Sequence, residues 1–299
     1  MFYLLLLLLY PLALLPLSCL YLLSDLLYIL LFKVAGYRRQ VTYDNLRHAF
    51  PEKNEEELHQ IMVRFYHHFF DQVVELIKLL AISEKKLAKR VTGNWDVFKD
   101  LNDEGINTYA LLGHTFNWEW ANVACQYNSQ QQFAGVYMPV KSKAVNKLMS
   151  RIRTRGGGWL ISMKAKKAFT KLANVRYIVG LIADQNPEDI KKALWLPFMN
   201  REAPFFKGPE QLAKRNGAAV VFAGIRRVKR GYYEIRLELI TKNAAGLTEN
   251  EILQKYVAFM ERQLREQPDN WMWTHKRWKH KKEAAPAKVL SPSALPSES

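Results

Sequence analysis

The chain has 299 residues, enough for one large domain or two small ones, and its 49% of apolar residues can bury a substantial core. A formal net charge of +16 calls for an acidic partner: nucleic acid, an anionic membrane surface, or an acidic substrate or carrier. The two cysteines, Cys19 and Cys125, give no disulfide framework and fit a reducing compartment.

From Phe2 to Phe32 the only charged residue is Asp25. As a helix that run can cross a hydrocarbon core of about 30 Å. Pro11 and Pro16 would kink it, and a buried Leu-rich helix is the alternative. No basic residue precedes the run, and it is too long for the apolar region of a signal peptide. Pro16-Leu-Ser-Cys19 is a poor lipoprotein processing site, because more apolar sequence follows and the proline is wrong for the pattern. Lys33, Arg38, Arg39 and Arg47 come after it, so the rest of the chain is expected on the cytoplasmic side. Residues 1–32 are therefore read as a membrane anchor and 33–282 as the folded domain. Residues 283–299, rich in Ala, Pro, Ser and Lys, are read as a disordered tail.

Asn54 followed by three glutamates predicts a capped helix running to about Leu80, with Leu58, Ile61, Met62, Phe65 and Phe69 at helical spacing. His67 and His68 lie inside it. Adjacent helical side chains point about 100° apart, so these are ordinary helix residues and not a metal pair. Strands and helices then alternate. Strands are expected over Ile106–Leu112, Phe133–Met138, Tyr177–Ile182, Ala218–Val228 and Tyr232–Ile240. Helices are expected over Trp118–Tyr127, Ala144–Arg153, Lys164–Ala173, Pro209–Arg215 and Leu247–Gln267. This alternation predicts an α/β fold, a mostly parallel central sheet flanked by helices, with function at the strand C-terminal edge.

His114 follows such a strand at once, and Glu119 stands five positions later at a helix start. The spacing allows the two side chains to meet, a carboxylate fixing the tautomer of a histidine base and stabilising its cation. Taken alone, the spacing is more often explained by a local hydrogen bond for His114 and a helix N-terminal charge at Glu119. Three further loops bear on the question. Tyr137-Met-Pro139 leads to Arg151, Arg153 and Arg155 before Gly156-Gly-Gly158. Arg151 and Arg155 share a helix face and form either a phosphate or carboxylate clamp or a solvated basic face. Asp184-Gln185-Asn186-Pro187 ends an apolar strand and is either a substrate loop or an Asx turn. Pro197 to Pro209, including Lys207, is an ordered aromatic loop that either lines an apolar slot or packs the core. The chain has no phosphate-binding Gly loop, no dinucleotide fingerprint, no Cys/His metal spacing and no nucleophile elbow. A histidine base without a nucleophile or metal suits deprotonation of a substrate hydroxyl or amine. With an anchor, an apolar loop and a basic surface, a fatty acyl thioester is the fitting electrophile.

These pieces together resemble the late acyltransferases of lipid A assembly, the lauroyl/myristoyl transferase type, a branch of the lysophospholipid acyltransferase superfamily. The resemblance covers about residues 1–280. It rests on Asn45-Leu-x-x-Ala-Phe50-Pro51-Glu52, His114-x4-Glu119, Tyr137-x-Pro139, Arg151-x-Arg153-x-Arg155-Gly-Gly and Ala183-Asp184-Gln185. It closes with Gly208-Pro209 and Pro268-x-x-Trp271-x-Trp273-x-His275-x-Arg277-Trp278. It implies that His114 is the general base and Glu119 its orienting partner. It also implies that Arg151, Arg153 and Arg155 bind phosphate or the developing oxyanion, and that Asp184 and Gln185 shape the acceptor site, with Tyr137 and Lys207 as further substrate contacts. The implied donor is an acyl thioester of acyl carrier protein or of CoA, with no cofactor. The implied acceptor is a hydroxyl of a phosphorylated lipid A precursor, in the bacterial inner membrane with the catalytic domain facing the cytoplasm. No nucleic acid partner is expected. Departures at Asn186-Pro187, Phe198-Met199 and Phe205-Phe206-Lys207 leave acceptor and chain length open. A lysophospholipid or aminolipid acceptor, or a non-catalytic membrane-anchored basic binding protein, are the competing readings. Trp271 to Lys282 reads as an interfacial anchor of tryptophans and basic residues.

Overall fold

Pro16 sets the shape of the N-terminus. With no N–H it cannot continue a helix begun before it. The computed structural model, which describes residues 1–165 and 168–282, shows two helices where one was expected: α1 (Phe2–Leu14) and α2 (Leu17–Leu27). A π-helical stretch, Tyr28–Val34, continues α2. Pro11 sits inside α1 without ending it. After α3 (Arg39–Ala49) comes the long α4 (Glu55–Lys78). It starts as its sequence predicts: Asn54 and Glu57 bond each other's backbone N–H reciprocally, satisfying two otherwise orphaned donors.

The domain is built on seven strands: β1 (Val91–Gly93), β2 (Thr108–Leu112), β3 (Gln132–Tyr137), β4 (Trp159–Ser162), β5 (Tyr177–Ile182), then β8 (Ala219–Lys229) and β9 (Tyr232–Thr241). A separate antiparallel hairpin supplies β6 (Leu194–Phe198) and β7 (Arg201–Phe205). The seven-stranded order is β1-β9-β8-β2-β5-β3-β4, with every pairing parallel except β8–β9. Helices α5 (Glu84–Ala88), α6 (Asp96–Asp103), α7 (Trp118–Asn128), α8 (Lys143–Arg153), α9 (Gly208–Arg215) and α10 (Glu251–Glu266) complete the described elements. Side chains alternate across a strand, so β2 feeds both layers of core. Tyr109 and Leu111 pack with α10 and the C-terminal tryptophans, and Ala110 packs with α6 and α7. The expected α/β fold with helices on both faces is the one observed.

Four local expectations change. The helix over Lys164–Ala173 is a single 3-10 turn, Ala168–Leu172, with residues 166–167 outside the described set. Among the described residues, Phe169 and Leu172 pack its side on the core, a short apolar face for a costly helix nucleus to propagate on. The glycine run after α8 leads into a short edge strand, β4, that four residues were too few to announce. The aromatic loop from Pro197 is largely the β6–β7 hairpin, whose turn places Met199 and Asn200 at φ 48° and 65°, the pattern of a two-residue hairpin turn. The C-terminal tryptophans are not an interfacial belt. Trp271, Trp273 and Arg277 are at most 1% exposed. Pro268 follows the end of α10 and the chain folds back over the sheet edge, where the indole N–H groups find acceptors on Asp184 and the Pro268 carbonyl. The proposed tail, residues 283–299, lies outside the described residues.

Candidate active site

Two neighbouring parallel strands build the site by register. β2 and β5 pair Leu112 with Ile182, and the Ala183 N–H extends the ladder to the Leu112 carbonyl at 3.1 Å. Two residues beyond that pair on each strand stand His114 and Asp184. The register alone therefore brings them together. The His114 backbone N–H donates to Asp184 Oδ2 at 2.7 Å, and ring Nδ1 lies 2.6 Å from Asp184 Oδ1. Trp271 Nε1 donates to Oδ2 at 2.5 Å. Gly113 makes the close approach possible, because a Cβ there would run into the Met260 thioether and come within 3.1 Å of the Asp184 carboxylate.

Asp184 is fully enclosed, and burial pushes its carboxyl up. The His114 charge and the hydrogen bonds from His114 and Trp271 outweigh burial and hold it below its ordinary value. It is thus an ionised acceptor of three hydrogen bonds. Holding Nδ1 as a donor makes Nε2 the proton acceptor of the neutral ring. Among the described residues, Nε2 has no hydrogen-bond partner. The adjacent His275 is kept neutral, pushed down to about 4 by burial.

Glu119 does not meet His114 as the spacing allowed. Asn117 caps α7 by accepting the Trp120 N–H, and Glu119 on the first turn is taken by Arg153 at the end of α8. Arg153 Nε lies 3.1 and 3.0 Å from the two carboxylate oxygens, and a terminal nitrogen lies 2.5 Å from Oε1. Trp118 Nε1 adds a bond at 3.1 Å. A permanently charged planar guanidinium binds a carboxylate in two places, whereas the imidazole is already committed to Asp184. Burial opposes the charge on Arg153, and Glu119 more than offsets it, raising its pKa.

His114, Glu119, Arg153, Tyr137 and Gln185 all line one cavity of about 590 Å³. From these polar groups it runs between the sheet and α7 to an apolar wall that includes Ala110, Cys125, Phe133 and Ile225. Gly180 keeps the passage open on the β5 side, where a Cβ would collide with Phe133. The other expected site residues go elsewhere. Arg155 donates to the carbonyls of Leu79 and Ile82 just past α4. Arg151 is exposed on α8. Lys207 pairs with Glu249 at 3.7 Å and is not on the cavity wall.

Two residues with a clear part in the site carried no site signal in the sequence. Trp271 braces Asp184. Arg277, fully buried, donates to Asn186 Oδ1 and the Pro204 carbonyl at 2.8 Å each, with its guanidinium over the Phe205 ring. It ties the loop after Asp184 to the β6–β7 hairpin. Burial pushes it down to about 10. Both belong to the Trp-x-Trp-x-His-x-Arg run, whose surface-like composition disguised a core role.

A mostly parallel α/β sheet thus carries a histidine–aspartate pair at its C-terminal edge, beside a deep, largely apolar slot. The model of one family, bacterial lipid A biosynthesis acyltransferase, matches residues 1–280. The chain belongs to that family and is an acyltransferase. A search of curated proteins finds no match to it.

Proposed function

We propose that the protein moves a fatty acyl chain from an acyl thioester, carried by acyl carrier protein or CoA, to a hydroxyl of a lipid A precursor. The carrying observation is the His114 ring, with Nδ1 committed to Asp184 and Nε2 unpartnered among the described residues, on the wall of an apolar cavity. His114 Nε2 takes the proton of the acceptor hydroxyl as its oxygen attacks the thioester carbonyl. Asp184 holds the ring and stabilises the imidazolium that forms. The tetrahedral oxyanion collapses, the C–S bond breaks, and the imidazolium returns the proton to the leaving thiolate. No acyl-enzyme is needed.

The acyl chain occupies the slot between the sheet and α7. Arg153 is the one permanent cation among the described lining residues, and it serves the oxyanion or a substrate phosphate, with Glu119 holding the guanidinium in place. Glu119 is thus assigned to positioning Arg153 rather than His114. Tyr137 and Gln185 contact substrate at the same rim. The charge of +16 suits two anionic substrates and an anionic leaflet. Attachment is to the bacterial inner membrane with the cavity facing the cytoplasm, as the basic residues after the apolar run favour.

Mass spectrometry of total lipids from cells with the wild-type chain, with His114→Ala, and with none tests this. The expected result is lipid A lacking one acyl chain in the last two. Unchanged lipid A with a missing aminolipid or phospholipid species would move the acceptor. Full acylation by His114→Ala would remove the base assignment.

A further inference from the structure

Residues 17–34 form a helical stretch of 18 residues with a mean hydropathy of 1.8, the one described helix long and apolar enough to cross a membrane. A helix of that length rises about 27 Å, close to a hydrocarbon core of about 30 Å. Composition therefore permits it either to cross the bilayer or to lie along its surface. Its contacts separate the two.

One face is docked on the domain at every turn. Leu17, Leu20, Ser24, Tyr28 and Phe32 are each at most 9% exposed. α4 runs antiparallel beneath them. Phe32 stacks on Tyr66 and Tyr28 on His67. Ser24 Oγ donates to Asp71 at 2.8 Å, and Tyr21 Oη donates to Glu75 at 2.7 Å. At the far end Lys78 Nζ donates to the carbonyls of Ala13 and Leu15, at 2.8 and 2.6 Å, where the break at Pro16 leaves them open. Asp25, the single acidic residue of the stretch, is 2.6 Å from Arg230 on the β8–β9 turn, and the same guanidinium bonds Asp71. A crossing helix would carry Lys78, Glu75, Asp71 and Arg230 into hydrocarbon with it, a charged wall that lipid cannot solvate.

The opposite face is bare and apolar: Leu22, Leu26, Ile29 and Val34 are 72%, 49%, 47% and 76% exposed. α1 extends this surface with Leu7 and Leu8, 70% and 59% exposed. It ends against α8, where Lys147 Nζ sits 4.6 Å from the Phe2 ring centre. Lys141 and Lys143 stand beside the same residues. An apolar face bordered by lysines is the signature of a helix lying in the headgroup boundary.

We infer that α1 and α2 form a broken in-plane anchor seated in one leaflet, with Met1 on the same side of the membrane as the catalytic cavity. The inference rests on the membrane reading above and replaces the crossing helix expected from composition. It also brings the lipid surface against α8, whose Arg153 lines the cavity.

Sidedness tests it in the full chain. One cysteine is placed in a short Gly-Ser extension ahead of Met1, and in a second protein exposed Lys89 is replaced by cysteine. Both carry Cys19→Ala, and Cys19→Ala alone is the blank, Cys125 being buried. A membrane-impermeant maleimide is applied to spheroplasts and to inverted inner-membrane vesicles. In-plane seating predicts that both cysteines react in inverted vesicles and neither in spheroplasts. Labelling of the extension in spheroplasts, alone or in addition, overturns it while the membrane reading stands. Recovery of the protein in the soluble fraction after lysis without detergent overturns both.

Discussion

Asp71 and Asp184 are buried alike, each at most 1% exposed, and each anchors a cluster of hydrogen bonds. Their partners differ. Asp71 accepts from Ser24, Arg227 and Arg230, joining α2, α4 and the β8–β9 turn. Arginine keeps its charge, so this cluster is a lock. Asp184 accepts from His114 and Trp271. Histidine can gain and lose a proton, and among the described residues its second nitrogen has no partner. The same buried carboxylate closes a seam in one place and, in the mechanism proposed, readies a base in the other. The identity of the partner, arginine in one place and histidine in the other, makes the difference.

The comparison breaks most visibly at His114. His114→Ala should lower kcat per folded molecule for acyl transfer by about 10²–10⁴, measured with an acyl thioester donor, and should also lower the melting temperature in calorimetry, because it takes away the partner that holds the buried Asp184 carboxylate ionised. Asp71→Ala should spare the rate. It strands Arg227, whose side chain is 9% exposed and whose ion pair among the described residues is with Asp71, so stability falls by about 3–5 kcal/mol in denaturant titration while kcat per folded molecule holds. Arg155→Met removes donors from two carbonyls past α4 and should cost about 1–3 kcal/mol without changing which substrates are used. Asp25→Asn weakens a half-exposed pair with Arg230, and a loss below about 1 kcal/mol is expected.

Acid should expose the same contrast. The Asp184 carboxyl sits below its ordinary value, so its contribution to stability is present above about pH 4 and is lost as pH falls through the lowered pKa. Asp184→Asn should flatten that part of the stability curve, followed by thermal melts between neutral and acid pH.

Much of this was legible in the sequence. The Asn54 cap, the strands leading to His114 and Asp184 and the helix from Trp118 follow from local patterns, because each depends on residues a few positions apart. The partnership of His114 was not legible. Proximity in sequence favoured Glu119, whereas the β2–β5 register, a contact across 70 positions, delivers Asp184. Arg155 and Arg153 look equivalent in sequence, yet one is spent on backbone carbonyls and the other on Glu119. Trp271 and Arg277 have the composition of a membrane surface, and only the turn after Pro268 makes them core. Composition likewise describes a crossing helix at residues 17–34, while the polar groups of α4 that dock it lie in a different segment.

The most direct test of the His114–Asp184 assignment is the pH profile of kcat/KM for Asp184→Asn beside Glu119→Gln, in the detergent-solubilised full chain. Both variants should lose rate, since Glu119 positions Arg153. Only Asp184→Asn should move the acidic limb to lower pH, because loss of a carboxylate beside the imidazole disfavours its protonated form. An acidic limb that shifts in Glu119→Gln and stays in place in Asp184→Asn would contradict the assignment and return Glu119 to the role of partner to His114.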